Sequence, residues 1–185
     1  MVRFAHARTF SNPKLAEAQK DDEQLRRFDP DPKKHSIAVM RASGNPAAIT
    51  NVSSITLRFN LTGRTGKPLD FYIFCTALNR NNKFFPEFKA DACLEIFDPI
   101  VFGDRLHQVC RQKFQNCDFY GKPVAYFDST QLPRTTEQSE LIFMKESGYC
   151  WQTEFRIIFA ISPDLSGPDE IFFELGPLND ICRFI

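Results

Sequence analysis

The chain lacks net charge: 23 lysines and arginines offset 23 aspartates and glutamates. A protein held on nucleic acid by bulk electrostatics needs a basic surface and a high pI, so this balance argues against that class and leaves room only for a local basic patch. No apolar run approaches the roughly 18 residues a membrane helix needs. The opening Met1-Val2-Arg3-Phe4-Ala5-His6 has no apolar stretch of the kind a secretory leader carries. Asn51-Val52-Ser53 and Asn60-Leu61-Thr62 are therefore read as chance matches to the glycosylation pattern. The six cysteines, at 75, 93, 110, 117, 150 and 182, include no C-x-x-C pair. They lack the paired-ligand rhythm of a zinc site. Cys75, Cys93, Cys150 and Cys182 lie in or beside apolar runs, where a thiol acts as a small hydrophobe. The expectation is reduced, structural thiols in a cytosolic protein. There is no internal repeat and no low-complexity tract.

What is present is apolar and aromatic. Hydrophobic residues make up 43% of 185, and 20 of them are Phe, so the interior should be bulky and short of hydroxyls. The length suits one domain. Residues 1–34 are polar and charged, with Ser11-Asn12-Pro13 as a cap before a helix near 14–28. Asp29-Pro30-Asp31-Pro32 ends it, and Lys20 to Arg27 reads as a solvated helix face. A sheet-rich body fills 35–185. Strand candidates are Ile37–Arg41, Ile55–Leu61, Phe71–Thr76, Ala92–Phe97, Val124–Phe127, Gln152–Ile161 and Glu170–Leu175. The Gly-rich stretch 63–68 suggests that the second and third of these form a hairpin. Asp98-Pro99 opens a central helix near 100–116, with Phe102, Leu106, Val109, Cys110 and Phe114 at helical spacing. The predicted class is α+β, a single domain on a mainly antiparallel sheet.

The segment Lys145–Phe159 is the most unusual. On its strand, Thr153, Phe155, Ile157 and Phe159 share one face, and Gln152, Glu154, Arg156 and Ile158 share the other. Charges inside a hydrophobic run are usually paired or used. One reading makes Glu154 and Arg156 a same-face ion pair, helped by Lys145, that fixes register rather than doing chemistry. Trp151 is then a core or rim aromatic. On the opposing reading it is a stacking platform for a nucleobase or nicotinamide.

From residue 71 onward the order of motifs resembles a widespread bacterial domain family of unknown function, found among abortive-infection-associated proteins. Phe71-Tyr72-Ile73-Phe74-Cys75-Thr76 resembles its F/Y-x-x-C-x-S/T strand. Asp91–Asp98 resembles its cysteine-containing strand, and Val124-Ala125-Tyr126 its V-x-Y strand. Phe143-Met144-Lys145 with Tyr149, Trp151 and Glu154–Ile158 resembles its closing signature. The family's tryptophan corresponds to Tyr149 or Trp151, and this chain has Gln152 where the family commonly has an acid. The resemblance implies a topology and a bacterial origin rather than a reaction.

Gln152-Thr153-Glu154 also resembles the Q-x-E element of ADP-ribosyltransferases. That resemblance implies NAD as co-substrate, Glu154 polarising the nicotinamide ribose and Gln152 orienting the acceptor. It implies an early-strand basic residue, for which Arg41, Arg58 and His6 are candidates, and a Ser/Thr element, for which Ser129 and Thr130 are candidates. The S-T-S triplet is missing. Trp151 and Arg156 complete the candidate binding residues. Three functions are thus set against one another. The first is a defence or toxin-type NAD-consuming effector. The second is a non-enzymatic binding or sensing module with a structural Glu154–Arg156 pair. The third is a metal-dependent nuclease using Asp91 and Glu95 with Glu154-x-Arg156.

Overall fold

A computed structural model describes residues 1–12, 14–15, 25–34, 38–40, 46–48, 54, 57–60, 71–114, 117–132, 134–135, 137–161 and 168–185. In chain order the elements are β1 (Val2–His6), a 3-10 turn (Ala7–Ser11), β2 (Leu25–Phe28), β3 (Ala38–Met40), β4 (Pro46–Ala48), β5 (Leu57–Asn60) and β6 (Phe71–Ala77). Then come α1 (Phe84–Phe88), β7 (Leu94–Ile96), α2 (Pro99–Lys113), β8 (Cys117–Pro123), β9 (Ala125–Phe127), α3 (Gln138–Leu141) and β10 (Met144–Glu146). A 3-10 turn (Ser147–Gln152), β11 (Glu154–Ile161), β12 (Glu170–Phe173) and β13 (Cys182–Phe184) complete the chain.

The alternation in Glu154–Ile161 organises the fold. β11 runs antiparallel between β6 and β8 in a five-stranded sheet of order β12-β1-β6-β11-β8. Because side chains alternate across a strand, each sheet face draws on every second residue. Phe155, Ile157 and Phe159 lie opposite Thr76, Phe74 and Tyr72. On this face Phe4, Tyr72, Phe159 and Phe173 are buried with Phe102, Leu106 and Cys110 of α2. Those three recur every four residues, which is the apolar stripe that seats the helix. The Asp98 carboxylate caps α2 by accepting from the Val101 N–H at 3.0 Å, and Pro99 follows as the first helical residue. Rings interlock here, with Phe4 and Phe173 edge to face at 5.4 Å and Phe114 and Phe159 at 5.0 Å.

The other face carries Glu154, Arg156, Ile158 and Ala160, opposite Ala77, Cys75, Ile73 and Phe71. A second core covers it, built from Ala7, Phe28, Phe71, Ile73, Ile158 and the run Leu141–Met144. The short parallel pair β9–β10, linked through α3, lies in this layer's chain segment. The architecture is α+β, mainly antiparallel. No helix among the described residues is long and apolar enough to cross a membrane.

Several expectations change. The helix expected near 14–28 does not reach its end: Leu25–Phe28 is strand β2, paired with β5. Residues 16–24 lie outside the described residues. Arg26 is 2% exposed rather than part of a solvated face. Its place follows from the two-residue alternation that puts Arg26 and Phe28 on the same, buried side. The expected hairpin between Ile55–Leu61 and Phe71–Thr76 is not formed, since β5 pairs with β2 and β6 with β1 and β11. Val2–His6, read as polar, is an inner strand of the sheet with a buried-exposed alternation. Cys75 and Cys150 are exposed, so neither acts as a buried hydrophobe, whereas Cys110 and Cys182 do. Asp91 precedes strand β7 and does not share it with Glu95.

Phe159 is fully buried among the Phe4, Tyr72, Phe114 and Phe173 rings. Phe159→Ala should therefore lower the unfolding free energy by about 3–5 kcal/mol in a denaturant titration. Phe172→Ala on the same sheet, where Phe172 is 44% exposed, should cost less than about 1 kcal/mol.

Candidate functional site

The charged groups of the second face converge at the start of β11. The 3-10 turn Ser147–Gln152 ends in Thr153, which stands at φ 42, the left-handed region. A β-branched residue rarely adopts that conformation. Two backbone bonds hold it there: the Thr153 N–H donates to the Cys150 carbonyl at 3.2 Å, and the Leu78 N–H donates to the Thr153 carbonyl at 2.8 Å. The Thr153 hydroxyl oxygen is buried with no hydrogen-bond partner among the described residues.

This reversal aims Glu154 into the layer beneath the sheet. Arg156 Nε donates to Glu154 Oε1 at 2.5 Å, and Lys145 Nζ donates to Oε2 at 3.0 Å. Glu154 and Lys145 are each 5% exposed and Arg156 is fully enclosed. Main-chain groups complete the shell. Arg156 Nη1 donates to the Ile142 carbonyl at 2.6 Å, and Arg26 Nε donates to the Leu141 carbonyl at 3.1 Å. Leu141 ends α3 and Ile142 caps it, so two guanidinium groups satisfy carbonyls that a helix end leaves without an internal partner. The Glu154 N–H donates to the Tyr126 hydroxyl oxygen at 2.9 Å, and the Lys145 ammonium sits 5.0 Å from the Tyr149 ring centre.

The electrostatics follow from these distances. Burial pushes the Glu154 carboxyl up. The Arg156 and Lys145 charges, with hydrogen bonds from Arg156 and Cys75, outweigh burial and hold it down from 4.5 to about 2. Burial also raises the Tyr126 phenol above its ordinary value. A carboxylate held ionised to such low pH is no proton donor near neutrality, and both its oxygens are occupied by cations.

The structure brings Glu154 and Arg156 together and scatters other candidates. Gln152 is buried in the 3-10 turn, 4% exposed. Trp151 is half-buried and packs against Phe84 and Phe88 at 5.7 and 6.2 Å, a rim aromatic under α1. Ser129 and Thr130 lie in the turn after β9. There the Ser129 carbonyl accepts from the Asp29 N–H, and Thr130 Oγ1 donates to Asp128 Oδ1 at 2.7 Å. Arg58 is exposed on β5, in register with Arg27 of β2. Arg41 lies outside the described residues. His6 is buried on β1, its Nδ1 accepting from the Arg8 N–H and its ring 5.0 Å from Tyr72. Glu95 pairs with Arg183 on β13, and Asp91 is exposed. Among the described residues no group of three or more His, Cys, Asp or Glu is placed to hold a metal ion. Sequence reasoning missed Arg26, Tyr126 and the two α3 carbonyls. The Arg26/Phe28 alternation ahead of Asp29-Pro30 was the available signal for the first.

No protein-family model, curated protein or solved structure matches this chain.

Two predictions follow from the buried charges. Arg156→Met leaves the Glu154 carboxylate desolvated with one cation fewer and should cost about 3–5 kcal/mol in chemical denaturation. Adding both Glu154→Gln and Lys145→Met to it removes every charge of the trio and should recover most of that loss, a non-additivity of the kind expected for directly bonded partners. The pH dependence has a fixed sign. The folded pKa lies below the unfolded one, so Glu154 contributes stability above about pH 4.5 that is lost as pH falls toward about 2. Asp128 and Asp180 are also lowered, by hydrogen bonds from Thr130 and Arg105 respectively, and lose stability on the acid side too. The difference between wild type and Glu154→Gln across that window isolates Glu154, and it should shrink steadily as the pH is lowered.

Proposed function

We propose that the chain is a non-enzymatic binding or sensing module in which Lys145, Glu154 and Arg156 form an internal strut. One observation carries this reading: each oxygen of the Glu154 carboxylate accepts from a different buried cation, and the side chain is 5% exposed. A glutamate that stabilises positive charge at a ribose must face the substrate from an open cleft, with its charge unspent. Arg156 and Lys145 already consume that charge.

A second reading, NAD-consuming ADP-ribosyl transfer with Glu154 catalytic and Gln152 assisting, has one observation in its favour. Thr153, between those two residues, is held in a left-handed conformation with its hydroxyl oxygen buried and without a hydrogen-bond partner among the described residues. Backbone strain of that sort, worth about 1–3 kcal/mol, collects at functional sites.

Incubation of the full chain with NAD, with released nicotinamide measured by chromatography, separates the two. The binding-module reading expects no release above the buffer rate and a lowered melting temperature for Glu154→Gln. Turnover by the wild type that falls about a hundredfold in Glu154→Gln, with the melting temperature unchanged, would establish the transferase reading instead.

A further inference from the structure

The opposite face of the sheet carries a pocket of about 200 Å³, lined by Phe102 and Gly103 of α2, Phe119 and Gly121 of β8, and Phe155 and Ile157 of β11 among others. Its lining includes no charged side chain. Its one side-chain polar group, the Thr76 hydroxyl, is directed to the Phe155 carbonyl at 3.4 Å. A charged group held against this lining would lose hydration with no polar partner to replace it. An apolar cavity of about 150 Å³ is enough to take benzene. This pocket opens to solvent, and its roughly 200 Å³ leaves room for one or two rings to lie against three phenylalanine side chains.

The two glycines tell the same story from the chain's side. Among the described residues, Gly103 and Gly121 are the glycines that sit inside an α-helix or a β-strand, and both line this pocket. Glycine is among the least favourable residues in a helix interior. At Gly103 an added Cβ would meet nothing within 4 Å, so close packing does not demand the missing side chain. At Gly121 an added Cβ would come within 3.2 Å of the Phe155 ring, so the absent side chain lets that ring lie against the strand. Gly103 leaves open space at the pocket, and Gly121 lets the Phe155 ring form its wall. Ile96 and Pro99 also line the pocket, and their sequence neighbours Phe97 and Ile100 are 50% and 76% exposed.

We infer that this pocket binds a small uncharged aromatic molecule of one or two fused rings. The inference deepens the binding-module reading by naming a ligand class. The two fail separately, because NAD turnover would overturn that reading and leave pocket occupancy untouched.

The test uses the full chain and two probes, indole and indole-3-carboxylate, titrated by calorimetry and by proton NMR. Indole should bind saturably, with intermolecular contacts to the Phe102 and Phe155 rings, and the carboxylate should bind at least about tenfold more weakly. Gly103→Leu fills the space and should weaken indole at least about tenfold while keeping the native melting temperature or raising it. Should Gly103→Leu not fold, Gly103→Ala serves. Its methyl group projects into open space, so it should fold, melt higher and still bind indole measurably more weakly. Absence of saturable indole binding, equal affinity for the carboxylate, unchanged affinity in the folded glycine variant, or NMR contacts elsewhere would each overturn the proposal.

Discussion

A carboxylate taken out of water must be met by positive charge at hydrogen-bond distance, or it will not stay ionised. Glu154 meets that requirement through Arg156 on its own strand and Lys145 on β10. The same Arg156 reaches the Ile142 carbonyl just past α3, while Arg26 of β2 reaches the carbonyl before it. Four chain segments, β2, α3 with its cap, β10 and β11, are thereby tied to one another by directional bonds. The surrounding Leu141–Met144 run supplies apolar contact but no direction. Ion pairs of this kind are poor sources of net stability, because desolvation offsets most of their attraction. A second layer placed one residue out of register would leave two guanidinium groups and an ammonium without their acceptors.

The sheet divides the labour. The face toward α2 is a Phe-rich core whose rings settle at tilted and edge-to-face angles. The face toward Leu141–Met144 holds the charges. β11 belongs to both, because its side chains alternate between Phe155, Ile157 and Phe159 on one side and Glu154, Arg156 and Ile158 on the other. Thr153, in the left-handed region, stands at its entrance. The apolar pocket opens on the ring-lined face, away from the charges.

How much of this was legible in the sequence depended on whether the signal was local. α2 was readable because Asp98-Pro99 caps it and Phe102, Leu106 and Cys110 mark its buried side. β6 and β11 were readable from length and apolarity, and the Glu154–Arg156 contact from a spacing of two on a strand. Partner choice was not local. The turn-rich stretch after β5 suggested a hairpin, yet β5 pairs with β2, and β1 enters the sheet from a stretch whose charged Arg3 alternates with buried Val2 and Phe4. Arg26 was misjudged because a charge was taken as a surface marker, although its neighbour two residues on is the fully buried Phe28. The α3 carbonyls that organise both arginines are main-chain groups, and no side-chain pattern announces them. Gly103 and Gly121 are far apart in sequence, and only the folded chain brings them to one pocket.

Whether Glu154 is a strut or a reagent is a question about its charge and surroundings, and its own carboxyl carbon reports on both. A carbon-13 NMR titration of that carboxyl in the folded chain is the most direct measurement. Held by Arg156 and Lys145, it should titrate with a midpoint near about 2, far below the 4.5 of an ordinary glutamate. A midpoint at or above 4.5 would mean that the cations do not hold it, and it would contradict the account.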